Sequence, residues 1–287
     1  MRPGAETRAT ALGAGAVLLW SALALLTVGA KRVPPFQLLA LTFAVAALLG
    51  VILAVIRRQR LMRVVKDHPR AVALATTALF GYHFFYFVAL RNAPAVDASL
   101  IAYLWPLLIV VLAGIVQGAL RMVHLVGAIL GLAGAWLVIA ARGGMTLDSA
   151  YAAGYGAAAA CALIWSAYSV LNRRHAGAPV DVVAVACLLT AAAAAVVHFA
   201  LEKSASLSAR EWLFVALLGL GPVGAAFFLW DHGTKRGNLP LLGVASYAAP
   251  VISTALLVVA GEATASWQLA AAAALVAGGA ALASRRA

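Results

Sequence analysis

The sequence predicts an all-α membrane protein of ten transmembrane helices, arranged as two inverted five-helix repeats with both termini cytoplasmic. Three observations carry that expectation. Hydrophobic residues make up 65% of the 287 and mean hydropathy is +1.00, against ~45–50% apolar residues in soluble domains. Apolar runs of roughly 20 residues, each long enough for a ~30 Å hydrocarbon core, recur along the chain. Short motifs in the first half also return in the second at a nearly constant offset.

The runs fall near residues 10–30, 35–56, 71–90, 96–119, 122–141, 151–171, 180–200, 209–230, 239–260 and 264–284. Ten of them leave almost nothing for a soluble domain. The net charge of +12 orients the chain and gives no reason to expect a nucleic-acid partner. With the N-terminus inside, the cytoplasmic segments hold Arg2, Arg8, Arg57, Arg58, Arg60, Arg63, Lys66, Arg70, Arg121, Arg173, Arg174, Lys235, Arg236, Arg285 and Arg286. Those are 15 of the 21 basic residues. Lys31, Arg32, Arg91, Arg142, Lys203 and Arg210 remain for the other side. Basic residues concentrated in short loops on one side give the positive-inside signature, and they suit anionic lipid headgroups. Arg2 and Arg8 before an apolar run also resemble a signal peptide with Val28-Gly-Ala30 as its cleavage site. That run is longer than a typical signal core, and the repeat requires it as a span. Cys161 and Cys187 fall within runs and read as small packing residues.

The repeat rests on four ordered matches. Leu18–Leu26, LLWSALALL, returns as Leu163–Leu171, LIWSAYSVL, which sets Trp20 against Trp165 at an offset of 145. Gly81–Tyr86, GYHFFY, aligns with Gly224–Leu229, GAAFFL, at 143. Tyr103-Leu-Trp-Pro106 matches Tyr247-Ala-Ala-Pro250, and Gly134 matches Gly278, both at 144. The halves are therefore residues 1–144 and 145–287. Five helices is an odd number, so the second half enters the membrane from the opposite face. Many secondary transporters use such inverted pairs to alternate access around a site at the bilayer midplane.

At these motifs the chain resembles the EamA branch of the drug/metabolite transporter superfamily, through Trp-Ser-Ala in spans one and six and Tyr-x-x-Pro in spans four and nine. The Tyr, Trp and His content of spans three, four and six is similar to that of the YddG-type exporters of aromatic amino acids. The resemblance covers the whole chain and implies amino-acid export. The outward direction comes from the resemblance alone.

Candidate site residues follow from depth. Tyr82 lies nine residues before Arg91, ~13 Å along a helix, close to the middle of a ~30 Å core. Tyr82 and His83 are therefore expected to line a substrate pathway. Tyr86, shallower, fits either the pathway or an interfacial aromatic belt. Tyr103 and Trp105 in span four, Trp165 and Tyr168 in span six, Trp20 in span one and Tyr247 in span nine join them. Pro106 and Pro250 remove amide donors at equivalent places and are expected to kink or hinge their helices, turning the carbonyls of Ala102 and Ser246 to the cavity. The serines and threonines of these spans are expected to bond back to their own backbone.

Such walls suit a flat, amphipathic solute. Asp97, Asp231 and Glu262 fall near expected span ends, so the core should stay near neutral and favour a net-neutral zwitterion such as an aromatic or other bulky neutral amino acid. The expected partners are that small molecule and membrane lipids, and a monomer suffices. No cofactor and no metal is expected: His68, His83, His124, His175, His198 and His232 show no metal-ligand spacing, which also argues against an enzyme. Two alternatives stand beside amino-acid transport: export of drugs or other metabolites on the same scaffold, and a membrane scaffold or receptor.

Overall fold

The computed structural model describes residues 3–117, 121–141 and 146–284. Arg2, Arg142, Arg285 and Arg286 lie outside the described residues, as does the boundary between the two expected repeats. Among the described residues there are helices and no strands. Ten helices are long and apolar enough to cross a membrane: TM1 Gly4–Val28, TM2 Pro35–Ile56, TM3 Pro69–Asn92, TM4 Ala95–Val116, TM5 Met122–Ala140, TM6 Ser149–His175, TM7 Val182–Leu201, TM8 Ala209–Arg236, TM9 Leu239–Val259 and TM10 Trp267–Ser284. Inside lipid each backbone donor and acceptor must be satisfied within the segment, which is why every span is helical.

The helix starts are written locally. Pro35 and Pro69 open TM2 and TM3 at the first position, where the missing amide costs nothing. TM8 opens on a capping box in which Ser208 Oγ accepts from Glu211 N at 3.3 Å and Ser208 N donates to Glu211 Oε2 at 2.8 Å. TM2 borrows its cap. The Glu202 carboxylate, just beyond TM7, accepts from Phe36 N at 3.1 Å and Gln37 N at 3.2 Å. Gln37 and Ala205 then exchange two 2.8 Å bonds, clamping the end of TM7 onto the start of TM2.

TM4 and TM9 break at equivalent places, each just before its proline. TM4 is helical over Ala95–Ala102 and again from Trp105, and TM9 over Leu239–Ser246 and again from Ala248. The breaks at Tyr103 and Tyr247 stand 144 positions apart. Ala102 and Ser246 are 1% and 0% exposed, so both carbonyl-bearing residues are enclosed by neighbouring helices.

The extensive pairings are TM1 with TM8, TM3 with TM6, TM2 with TM7, and TM5 with TM10. Exchanging each span for the one five places along turns TM1–TM8 into TM6–TM3 and leaves TM2–TM7 and TM5–TM10 unchanged. The contact residues follow the same exchange. A Cβ on Gly233 would lie 2.6 Å from Gly13 Cα where TM8 crosses TM1; the residues 144 before and 145 after these, Ala89 and Ala158, pack together in one buried cluster between TM3 and TM6. TM5 and TM10 approach closest at Gly127 and Gly279, where a Cβ on either would sit 2.5–2.6 Å from the other's carbonyl oxygen. Small residues at a crossing let backbones pack directly, the main source of helix association in lipid.

Candidate functional site

The aromatic side chains of six helices meet in one cluster. Trp20 of TM1 is its hub: its ring centroid lies 5.0 Å from Trp230, 5.7 Å from Trp165, 6.0 Å from Phe227 and 6.3 Å from Trp105. Most of these contacts are edge-on or tilted, the arrangements ring quadrupoles prefer. TM3 joins through Tyr82, 5.7 Å from Trp165, and Tyr86 stacks on Tyr82 at 6.0 Å and 9°. Tyr168 extends the cluster along TM6, 5.2 Å from Trp165. His83 faces Phe43 of TM2 at 5.2 Å and Phe227 at 6.3 Å, both nearly perpendicular.

Hydrogen bonds fix the polar edges of these rings. TM8 widens into a π-turn over Gly221–Ala225, with Pro222 inside it, and such turns free backbone acceptors. Trp20 Nε1 donates to the Pro222 carbonyl at 3.0 Å. Trp230 Nε1 donates to Ser169 Oγ at 3.1 Å, and Ser169 itself donates to the Trp165 carbonyl at 2.8 Å. The His83 Nδ1–H bonds the Leu79 carbonyl one turn back at 2.7 Å, which leaves Nε2 as the ring's acceptor. The Tyr86 and Ser99 hydroxyls lie 3.3 Å apart, linking TM3 to TM4. Cys161 Sγ donates to the Tyr82 carbonyl at 3.3 Å. The back-bonding expected of hydroxyls holds for Ser21, Ser246 and Thr254, each to the carbonyl four residues earlier.

Seven of the nine expected pathway residues thus converge: Trp20, Tyr82, His83, Tyr86, Trp105, Trp165 and Tyr168. Of the other two, Tyr103 stands at the cluster's border and Tyr247 apart from it. Tyr247 is 0% exposed; its hydroxyl accepts from Leu107 N at 3.0 Å, and its ring packs on Gly131 of TM5. It thereby satisfies an amide left open where TM4 restarts. Tyr103 packs against the core of TM4, TM5, TM9 and TM10 while its hydroxyl stays within electrostatic reach of Tyr82 in the cluster. Phe43, Phe227 and Trp230 belong to the cluster without being expected there. The Gly-Pro-x-Gly of Gly221–Gly224 was the available signal for the π-turn, since Pro inside an apolar run marks a broken ladder.

The charges expected at the end of span eight are buried rather than solvated. TM8 runs on to Arg236, beyond its expected end at 230, and carries Asp231 and Lys235 fully buried, paired at 2.9 Å. The i, i+4 pair neutralises itself, which lets the helix continue through the core. Two shallow concavities lie away from the cluster, one an apolar groove of Ala245, Ala248, Val251 and their TM10 neighbours, the other near Thr254 and Gln268. Among the described residues no group of His, Cys, Asp and Glu is placed to hold a metal.

The EamA-like transporter family matches this chain twice, over residues 7–140 and again over 152–285. The aromatic amino acid exporter YddG of Ancylobacter novellus is 51% identical over 280 residues, covering 97% of both proteins. The aromatic amino acid exporter YddG of Escherichia coli K12 is 26% identical over 88% of each, and that of Salmonella typhimurium 28% identical over 87% of each. A crystal structure of a protein 50% identical in sequence superposes with a TM-score of 0.94 over 97% of each chain.

Proposed function

The chain belongs to the EamA-like transporter family, and from that premise we propose that it exports aromatic and other bulky neutral amino acids by alternating access. It is a multi-pass protein of the bacterial inner membrane. The observation that carries the substrate reading is the aromatic cluster: Trp20, Trp105, Trp165, Trp230, Phe227, Tyr82 and Tyr168 come from five helices yet share one set of ring contacts. A packed core needs apolar volume only; rings with oriented N–H and O–H edges add the recognition surface a flat amphipathic solute requires. The relatives that carry the name aromatic amino acid exporter support the same substrate class.

Two inverted repeats, meeting near residue 144 with both termini cytoplasmic, supply the motion. In this reading the exchange-related pairings rock against each other, and the breaks at Tyr103 and Tyr247 are the flexing points ahead of Pro106 and Pro250. Export of cationic drugs is disfavoured, because the buried carboxylate of Asp231 is already neutralised by Lys235. The test is flux of labelled L-tryptophan and L-phenylalanine in proteoliposomes against a panel of drugs and non-aromatic metabolites. Saturable flux of the aromatic amino acids, competed by each other, is expected; flux of drugs alone would refute the reading.

A further inference from the structure

A charged layer adjoins the aromatic cluster at the end where TM6 and TM8 terminate. Asp231 and Lys235 are 1% and 2% exposed. Lys235 Nζ donates to Asp231 Oδ2 at 2.9 Å and to the Ala178 carbonyl, between TM6 and TM7, at 3.3 Å. Asn172 Nδ2 of TM6 donates to Asp231 Oδ1 and to Thr234 Oγ1, both at 3.0 Å. Arg236 Nη2 reaches the Ala176 carbonyl at 3.1 Å. A buried ion pair contributes little stability that apolar side chains of equal volume would not, and ionisable groups inside a membrane helix mark function by default.

The two layers are stacked in register. TM6 presents Trp165 and Tyr168, then Asn172; TM8 presents Phe227 and Trp230, then Asp231, Thr234 and Lys235. From Tyr168 to Asn172, and from Trp230 to Thr234, is four residues, ~6 Å of helix rise. An aromatic amino acid has the same plan: a ring, one methylene, then an ammonium and a carboxylate on one carbon. We propose that Asp231, Lys235 and Asn172 form the subsite for the substrate's zwitterionic head group, a proposal that rests on the aromatic amino-acid reading above. With TM6 and TM8 together, the bonds from Asn172 to Asp231 and Thr234 and from Lys235 to the Ala178 carbonyl hold that end of the route shut, while the two charges satisfy each other along TM8. When the helices part, the substrate's ammonium takes Lys235's place on Asp231, and its carboxylate takes Asp231's place on Lys235, beside the Asn172 amide. The pairing of signs sets the specificity: a lone carboxylate would select amines and a lone ammonium acids, whereas the pair selects a molecule carrying both.

The test is displacement of labelled L-phenylalanine from the purified full-length protein by unlabelled L-phenylalanine, phenethylamine and 3-phenylpropionate. The wild type should prefer phenylalanine at least tenfold over either singly charged analogue. In Asp231→Asn/Lys235→Met, which leaves no orphan charge, phenylalanine affinity should fall at least tenfold and the preference should vanish. A preference unchanged in the folded double variant overturns the subsite while leaving the transport reading standing. A wild type that binds no phenylalanine refutes the transport reading and this one with it. Should the double variant not fold, Lys235→Arg keeps the pair. It is expected to change affinity for phenylalanine and 3-phenylpropionate by a common factor and leave phenethylamine unchanged; an equal effect on all three, or on none, overturns the proposal.

Discussion

Trp20 and Tyr247 show how two aromatic residues of apolar spans come to do different work. The Trp20 ring touches four others, and its indole N–H holds the open Pro222 carbonyl. Tyr247 is sealed among TM4, TM5 and TM9 and completes the TM4 backbone. Their conservative variants should therefore separate. Tyr247→Phe leaves the Leu107 amide unpaired, so thermal unfolding should show a loss of ~1–3 kcal/mol, with phenylalanine affinity unchanged. Trp20→Phe, losing one buried hydrogen bond worth ~0.5–1.5 kcal/mol, should lower affinity as well. Depth below Arg91 singled out Tyr82 and His83 in the sequence, and the fold brings both into the cluster. The direction each ring points was not legible there, because that depends on which helix packs opposite, and Tyr247 faces a different core. Trp230 went unrecognised because it stood at the expected end of its span, where a tryptophan reads as belt.

At the scale of elements, TM8 departs furthest from expectation. Its π-turn and its buried i, i+4 ion pair let it reach Arg236, and both depend on partners in TM1 and TM6 that no local pattern announces. The ten spans themselves were legible, with most ends within a few residues, because length and hydropathy are fixed by the bilayer. The break before each proline was legible too. The match of Gly134 with Gly278 was less informative about packing: Gly134 abuts the Ala272 carbonyl, whereas Gly278 has nothing near it and Gly279 makes the crossing. A direct comparison follows. Gly279→Leu would drive side-chain atoms into the Gly127 carbonyl and should abolish folded, monodisperse protein. Gly278→Leu should purify like the wild type. Ser208→Ala, which removes the TM8 capping box, should cost ~0.5–2 kcal/mol in thermal unfolding.

For the whole molecule, the exchange of TM1–TM8 with TM3–TM6, down to Gly13 and Gly233 against Ala158 and Ala89, is what a two-fold axis in the membrane plane would leave. The nearly constant offset of the sequence motifs points to the same exchange, although the closed aromatic cluster required coordinates. The orientation has its own check. Native Cys161 and Cys187 are buried, so single cysteines at exposed Lys66 and Lys203 report topology against a quiet background. An impermeant maleimide applied to intact spheroplasts should label Lys203→Cys and spare Lys66→Cys; the reverse pattern would invert the protein.

In the proposed function, aromatic substrates pass through the cluster held by TM1, TM2, TM3, TM4, TM6 and TM8. This route is tested most directly by L-phenylalanine flux in proteoliposomes carrying the wild type or the combined variant Tyr82→Ala/His83→Ala/Trp165→Ala, with monodispersity of each checked beforehand. The account predicts saturable flux in the wild type and a loss of at least tenfold in the folded variant. Equal flux from both would contradict it.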